Sequence, residues 1–240
     1  MRSEGRLAVL RFTAAIAAVG MLWVSAVAQE SKSPTSAPDA PSTSAKDANP
    51  VKRKSLLFPD LATTSGKLGP EQKFKLFVTN SISAGTIVSS AAEAGIGQAQ
   101  NYPAGYGQGG EGYGKRFGAL MASSASDQFF GTFVIASAFR EDPRFYVKKD
   151  LSFGQAVKYS LVRTFVTKSD SGKQTVNLAG LVGPLGAEFL ANTYYPKGDR
   201  SSGDALVRYG YAELGKMAGY LARQYWPTLN KKLMKPKSKT

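Results

Sequence analysis

NYPAGYGQGGEGYGKRFG, residues 101–118, is the stretch from which the rest of this chain is read. Seven of its 18 residues are glycine, three are tyrosine (Tyr102, Tyr106, Tyr113), and it closes on Lys115-Arg116 before the apolar run Phe117 to Phe139. The composition reads as a shaped loop feeding a buried helix: glycine supplies positive φ for successive turns, and the tyrosines pin the loop to its neighbours. A second use is open to the same residues. The backbone amides of Gly109, Gly110, Gly112 and Gly114, the start of the following helix, and the cations Lys115 and Arg116 together make a seat for an anion such as a phosphate or carboxylate. The faces of Tyr106 and Tyr113 could stack on a ligand ring.

Two nucleotide motifs nearly fit. Gly107, Gly109 and Gly112 satisfy G-x-G-x-x-G, and Gly109 to Arg116 satisfies a Walker A pattern, except that Arg116 stands where Ser or Thr should bind magnesium. Both motifs need a buried strand immediately before them. Ile96 to Pro103 is short, polar and ended by proline, so glycine density alone accounts for the matches.

Working outward, the apolar positions recur at helical spacing. Pro70 suits the first position of a helix whose stripe Phe74, Phe77, Val78, Ile82, Gly85, Val88, Ala92, Gly95 and Ile96 predicts one element bent near Ser81 to Gly85. A second helix is predicted from about Lys115 to Phe139. A third follows the capping box Ser152-Phe-Gly-Gln155 to about Val166, and a fourth, Leu178 to Thr193, is capped by Asn177 and kinked at Pro184. A fifth starts at an Asp204 cap, carries the stripe Leu206, Gly210, Leu214, Met217, Leu221 and Tyr225, and closes at Trp226-Pro227. Thr167 to Thr175 reads as a polar turn. The expected fold class is all-α, a bundle of about five helices.

The N-terminus has the pattern of a secretory signal peptide: Arg2, Arg6 and Arg11, an apolar segment Phe12 to Val24, then Ala26-Val27-Ala28. Cleavage after Ala28 is expected, and residues 29–69, rich in Ser, Pro and Ala, read as a disordered linker in which Leu56-Leu57-Phe58-Pro59 forms a short apolar plug. The bundle would occupy 70–230 and a lysine-rich tail 231–240. Loss of residues 1–28 removes three arginines and Glu4, a net of two charges, and lowers the formal charge from +14 to +12. In an exported protein that excess points to an anionic envelope component (lipid head group, lipopolysaccharide or peptidoglycan) and away from nucleic acid.

The chain has no histidine and no cysteine. Disulfides, thiol catalysis, a Ser-His-Asp triad and ordinary zinc sites are excluded, and no metal or other cofactor is expected. Asp127 and Glu188 each stand alone in an otherwise apolar helix, and a buried carboxyl must be paired, neutral or functional. Pairing with Arg116, Arg144 or Arg163 is expected. The pattern YGQGGEGYGKRFGA, together with EDPRFY, NTYYP and RQYWP, resembles an uncharacterised family of exported, basic, helical bacterial proteins over about Pro70 to Pro227. The resemblance implies helical fold and export, and brings no activity, cofactor or catalytic residue. The function expected is that of an exported, non-catalytic cell-envelope protein, structural or binding a polyanionic surface. The alternatives are a membrane-embedded helical protein packed through small residues and a histidine-independent glycan hydrolase.

Overall fold

A computed structural model describes residues 48–49 and 54–233. The predicted signal peptide, most of the linker and the last seven tail residues lie outside the described residues. After a two-residue strand β1 (Ala48–Asn49), the chain forms α1 (Pro70–Ser81), α2 (Ala84–Ala99), a 3₁₀ turn (Ala104–Tyr106) and α3 (Gly109–Asp127). The α3 helix runs on through a π-helical segment (Gln128–Ile135) and a last turn (Ala136–Ala138). Next come β2 (Glu141–Asp142), β3 (Val147–Lys148), α4 (Phe153–Phe165), β4 (Val166–Ser169), β5 (Gln174–Val176), α5 (Leu178–Ala191) and the long α6 (Ser202–Leu233). The fold is mainly helical, with α5 packed on α3, the π segment and α6, and α2 on α3. It is not purely α. Strands β2, β4 and β5 form an antiparallel sheet in the order β2-β4-β5, and β1 pairs with β3.

Helix starts follow the caps written in the sequence. The Ser152–Gln155 box forms as expected, and Asn177 Oδ1 accepts from Gly180 N at 2.9 Å. The Asn177 amide nitrogen donates to the carbonyls of Arg163 and Thr164, joining α5 to the end of α4. The cap of α6 differs from expectation. Ser201 and Asp204 bond each other reciprocally, Asp204 N to Ser201 Oγ at 3.1 Å and Ser201 N to Asp204 Oδ2 at 3.2 Å, so Asp204 is the inner partner of a capping box. Pro227 does not end α6 either; the helix passes through it.

Other boundaries also move. The first predicted helix is two helices, because Ser83 leaves helical geometry (ψ 151°) and caps α2 through Thr86 N at 3.1 Å. The predicted polar turn 167–175 is a hairpin: Thr167, Thr175 and Val176 are β-branched, and Gly172 at φ +85° closes the turn. Half of the glycine stretch is helix, since α3 begins at Gly109. The predicted linker 29–69 is structured from residue 54 onward, where it forms a strap across the helices. Leu61 and Ala62 are buried, Ala62 N donates to Phe145 O at 2.9 Å, Phe145 N donates to Asp60 O at 2.8 Å, and Phe58 meets the edge of Trp226. Gly85 lets this strap cross α2, for a Cβ there would collide with Leu57 O.

The distribution of side chains is inverted relative to an ordinary bundle. Lys73, Arg116, Glu141 and Glu213 are among the largest fully buried side chains, while most of the buried apolar residues are alanines. Within α1, Lys73, Leu76 and Asn80 face inward and Phe74 and Val78 face out, as does Ile82 just beyond it. In α2 the inward residues are Ser90 and Ala94, and Val88 is 61% exposed. In α4 Arg163 is buried and Phe153 is 68% exposed.

Small residues make this close packing possible. A Cβ on Gly183 would lie 2.6 Å from Gly131 Cα, backbone against backbone, whereas one on Gly118 meets nothing within 4 Å. Gly183→Ala should therefore lose about 1–3 kcal/mol through overpacking, and Gly118→Ala should gain up to about 1 kcal/mol from reduced unfolded-state entropy. Urea denaturation of the two variants, compared with the parent, checks both signs.

Candidate functional site

The glycine–tyrosine stretch is assembled around Arg116, which is 2% exposed. Its Nε donates to Tyr102 O (2.9 Å), Nη1 to Gln98 Oε1 (2.6 Å) and Gly107 O (2.7 Å), and Nη2 to Pro103 O (2.9 Å). Gly112 admits the guanidinium, since a Cβ there would stand 3.1 Å from Arg116 Nη1 and collide with Gly107 O. Tyr106 packs on Tyr195 with centroids 5.7 Å apart, and burial, with neighbouring Tyr194, pushes its hydroxyl up to about 12. Tyr113 remains partly exposed and donates its hydroxyl to Ala91 O at 3.2 Å, tying α3 to α2.

The predicted anion seat is not brought together. Arg116 points into the protein with its donors engaged by carbonyls, while Lys115 lies outside it in an exposed i,i+4 pair with Glu111 at 2.5 Å. Glu111 also places a carboxylate in the first turn of α3, near Gly109, Gly110 and Gly114 at the helix start. An exposed pair of this kind contributes little to stability.

The groups that do converge line a cavity of about 310 Å³ between the helices. Its charged residues come from several elements: Asp60 from the strap, Glu93 from α2, Asp127 from α3, Arg163 from α4, Glu188 from α5, and Lys216 and Arg223 from α6. Asn80, Ser123 and Gln128 add amides and a hydroxyl. Two of the acids are matched. Asp60 accepts from Arg223 Nε at 2.9 and 2.7 Å, and Glu188 from Arg208 Nε at 2.8 Å. Arg208 replaces the partner expected for Glu188, because α6 lies against that face of α5. Arg208 also donates to the carbonyls of Asp199 and Glu188 and stacks over Tyr195 at 4.2 Å.

Asp127 departs from expectation. It forms no ion pair or hydrogen bond through its side chain among the described residues, although it keeps accessible surface where it lines the cavity. Burial pushes its carboxyl up, and Lys216 draws it partly back. The Lys216 ammonium, half-buried, is opposed by desolvation, but Glu213 (3.0 Å) and Asp127 outweigh that and keep it charged. Glu93, surface-exposed where it lines the cavity, is pushed up by partial desolvation, and Glu188 by burial first, with Asp127 and Glu93 adding to the rise against the pull of Arg208.

A second polar cluster explains the EDPRFY stretch, residues 141–146, as framework. Glu141 accepts from Leu178 N (3.1 Å) and Ala179 N (2.9 Å), placing a carboxylate on the first amides of α5. Asp142 takes Arg144 Nε at 2.9 Å and Nη2 at 2.7 Å, and Tyr146 Oη at 2.7 Å. Burial alone would raise Asp142, but these donors outweigh it and hold its carboxyl low. Arg163 donates from Nη2 to Arg144 O at 3.1 Å and lies over Tyr220 at 5.4 Å, while its buried Nη1 has no hydrogen-bond partner among the described residues.

Sequence reasoning missed Glu93, Arg163 and Lys216 as cavity residues. Glu93 and Lys216 are charges set close to Ala, Gly or Ser, near the signal that singled out Asp127 and Glu188, whereas Arg163 was expected only as an ion-pair partner of those acids. Among the described residues there is no group of three or more His, Cys, Asp or Glu side chains able to hold a metal ion. No protein-family model, curated protein or solved structure matches the chain.

Arg116→Leu strands the carbonyls of Tyr102, Pro103 and Gly107, and should cost about 3 kcal/mol and open residues 101–108 to limited proteolysis. Asp127 ionises less readily in the folded state than in the unfolded chain, so its contribution is full below the ordinary carboxyl pKa of 3.8 and is lost as pH rises through the elevated folded value. Asp127→Asn carries no such loss. Its stability relative to the parent should rise between about pH 3.5 and pH 7, and a flat difference in urea midpoints would show that Asp127 is not desolvated.

Proposed function

We propose that this chain is a non-catalytic cell-envelope protein that rests on an anionic lipid surface through its apolar outer face. The observation that carries the reading is the inverted polarity of the helices, with charges and small residues inside and large apolar side chains outside. Phe74, Phe77, Phe129, Phe130 and Phe133 join edge to edge across α1 and the π segment, with successive centroids 5.2–5.9 Å apart. Phe74 (45%) and Phe129 (38%) remain exposed, flanked by Val78 and Val134. Contiguous apolar surface of this kind is a contact surface when it occurs on a folded protein.

No helix among the described residues is long and apolar enough to cross a membrane, so the proposed contact is lateral. The formal charge of +14, or +12 after the expected cleavage, complements anionic head groups. Lys115 and the tail lysines are the cations assigned to this electrostatic part. Arg116 is not included, being engaged by carbonyls. Lipid is favoured over lipopolysaccharide sugar or peptidoglycan because those are polar partners and the surface to be covered is phenylalanine and valine.

Flotation of the protein with vesicles of anionic or zwitterionic phospholipid tests this. The protein should float with anionic vesicles, less as salt is raised, and Phe74→Asp/Val78→Asp should weaken binding about tenfold or more, as expected when apolar area worth over about 1.4 kcal/mol is lost. A parent protein that stays unbound and monomeric overturns the reading. So does lipid-independent self-association abolished by the same double substitution, which would assign the face to a second copy of the chain.

A further inference from the structure

We infer that the interior cavity is a binding site for a small zwitterion, with a carboxylate facing Arg163 and an ammonium facing Asp127. This inference does not rest on the lipid reading, since it concerns the inside of the bundle.

The argument begins with what the cavity leaves unmatched. Four of its seven charged residues are held in ion pairs: Asp60 with Arg223, Glu188 with Arg208 and Lys216 with Glu213. The others are Glu93, Asp127 and Arg163, for which no ion pair is found among the described residues. Arg163 is 8% exposed, fixed by its bond to Arg144 O and its seat over Tyr220, and its Nη1 is buried without an acceptor. An unmatched guanidinium nitrogen in that setting is costly, and an anionic oxygen is the partner it fits best. Asp127 is the complementary case. Its side chain accepts no hydrogen bond among the described residues, lines the cavity, and lies beside the tight Gly131–Gly183 backbone contact, with Lys216 acting on it through space.

A purely anionic ligand would meet Arg163 but also the field of Asp127, Glu93 and Glu188. A purely cationic one would answer the acids and leave Arg163 stranded. One molecule carrying both charges satisfies both, and Asn80 Oδ1, buried without a partner among the described residues, is a further acceptor in the lining. At about 310 Å³ the space stands at the small end of ligand pockets, the scale of an amino acid or dipeptide. The recognition chemistry is therefore that of a free amino acid or short peptide with both termini uncapped.

Isothermal titration calorimetry on the full chain tests the inference, with dialanine as the probe and N-acetyl-dialanine amide, propionate and ethylammonium as controls. Dialanine should bind at millimolar concentration or below, and the capped analogue, which lacks both charges, should not. Arg163→Gln and Asp127→Asn should each weaken dialanine binding about tenfold or more, while Leu161→Ala, on the outer face of α4, should leave it unchanged. If Arg163→Gln fails to fold by circular dichroism, the capped and uncapped probes on the parent protein, together with Asp127→Asn, decide the question. Absence of dialanine binding, equal binding of the capped analogue, or indifference to both substitutions overturns the proposal.

Discussion

A buried charge needs compensation, and in this protein the ion pairs that supply much of it join distant parts of the chain. Lys73 of α1 reaches Asp170 in the β4–β5 turn at 3.0 Å and Ala136 O at 2.9 Å, so the first helix is fixed to the hairpin and to the end of the central helix. Arg208 binds α6 to α5 through Glu188, and Arg144 holds the segment after the strap through Thr64 O and Gly66 O while gripping Asp142. Breaking one such pair by removing a partner leaves an uncompensated buried charge, typically a loss of about 3–5 kcal/mol. Apolar contacts cannot fill that organising role here, because most of the large apolar side chains are only partly buried or lie outside.

The small residues follow from the same constraint. Long side chains such as arginine and lysine need room to reach carbonyls and carboxylates, and the alanines, serines and glycines of α2, α3 and α5 leave it. Where backbones touch, as at Gly131 and Gly183, the helices come close enough for polar atoms of one to be served by the other. Where they do not, space remains, and the cavity is that remainder. Part of its polar lining comes from the charges that fasten the interior.

Much of the helical framework was legible in the sequence because caps are local. Ser152 with Gln155 and Asn177 fix their helix starts through contacts three residues away, and any reading of the chain sees them. The strap was not legible. Residues 54–62 are few, interrupted by Pro59, and show neither helical nor alternating spacing; their order comes from Phe145, Arg223 and Trp226. The Asp60–Arg223 contact spans 163 residues of chain, beyond any local window, and within the segment itself only the apolar plug stood out. The short strands escaped for a related reason, since two to four residues cannot establish an alternation. At the candidate sites the residue types were readable and their directions were not. Arg116 looked available beside Lys115, yet neighbouring residues on a helix point about 100° apart, which here puts one inside and one outside.

The strap also has a mechanical meaning. Residues 48–49 pair with 147–148 and residues 60–62 with Phe145, fastened further by the Asp60–Arg223 pair, while Leu56 and Leu57 lie on the start of α2. A pull on the chain N-terminal to this segment would load those contacts and pass the force to the start of α2 and to β3 and α6, the last two joined through Lys148 and Gln224. Helix α1, although it is the next helix in the sequence, would be shielded until the strap gave way. The bundle is thus moored at its long C-terminal helix by residues that precede its first one.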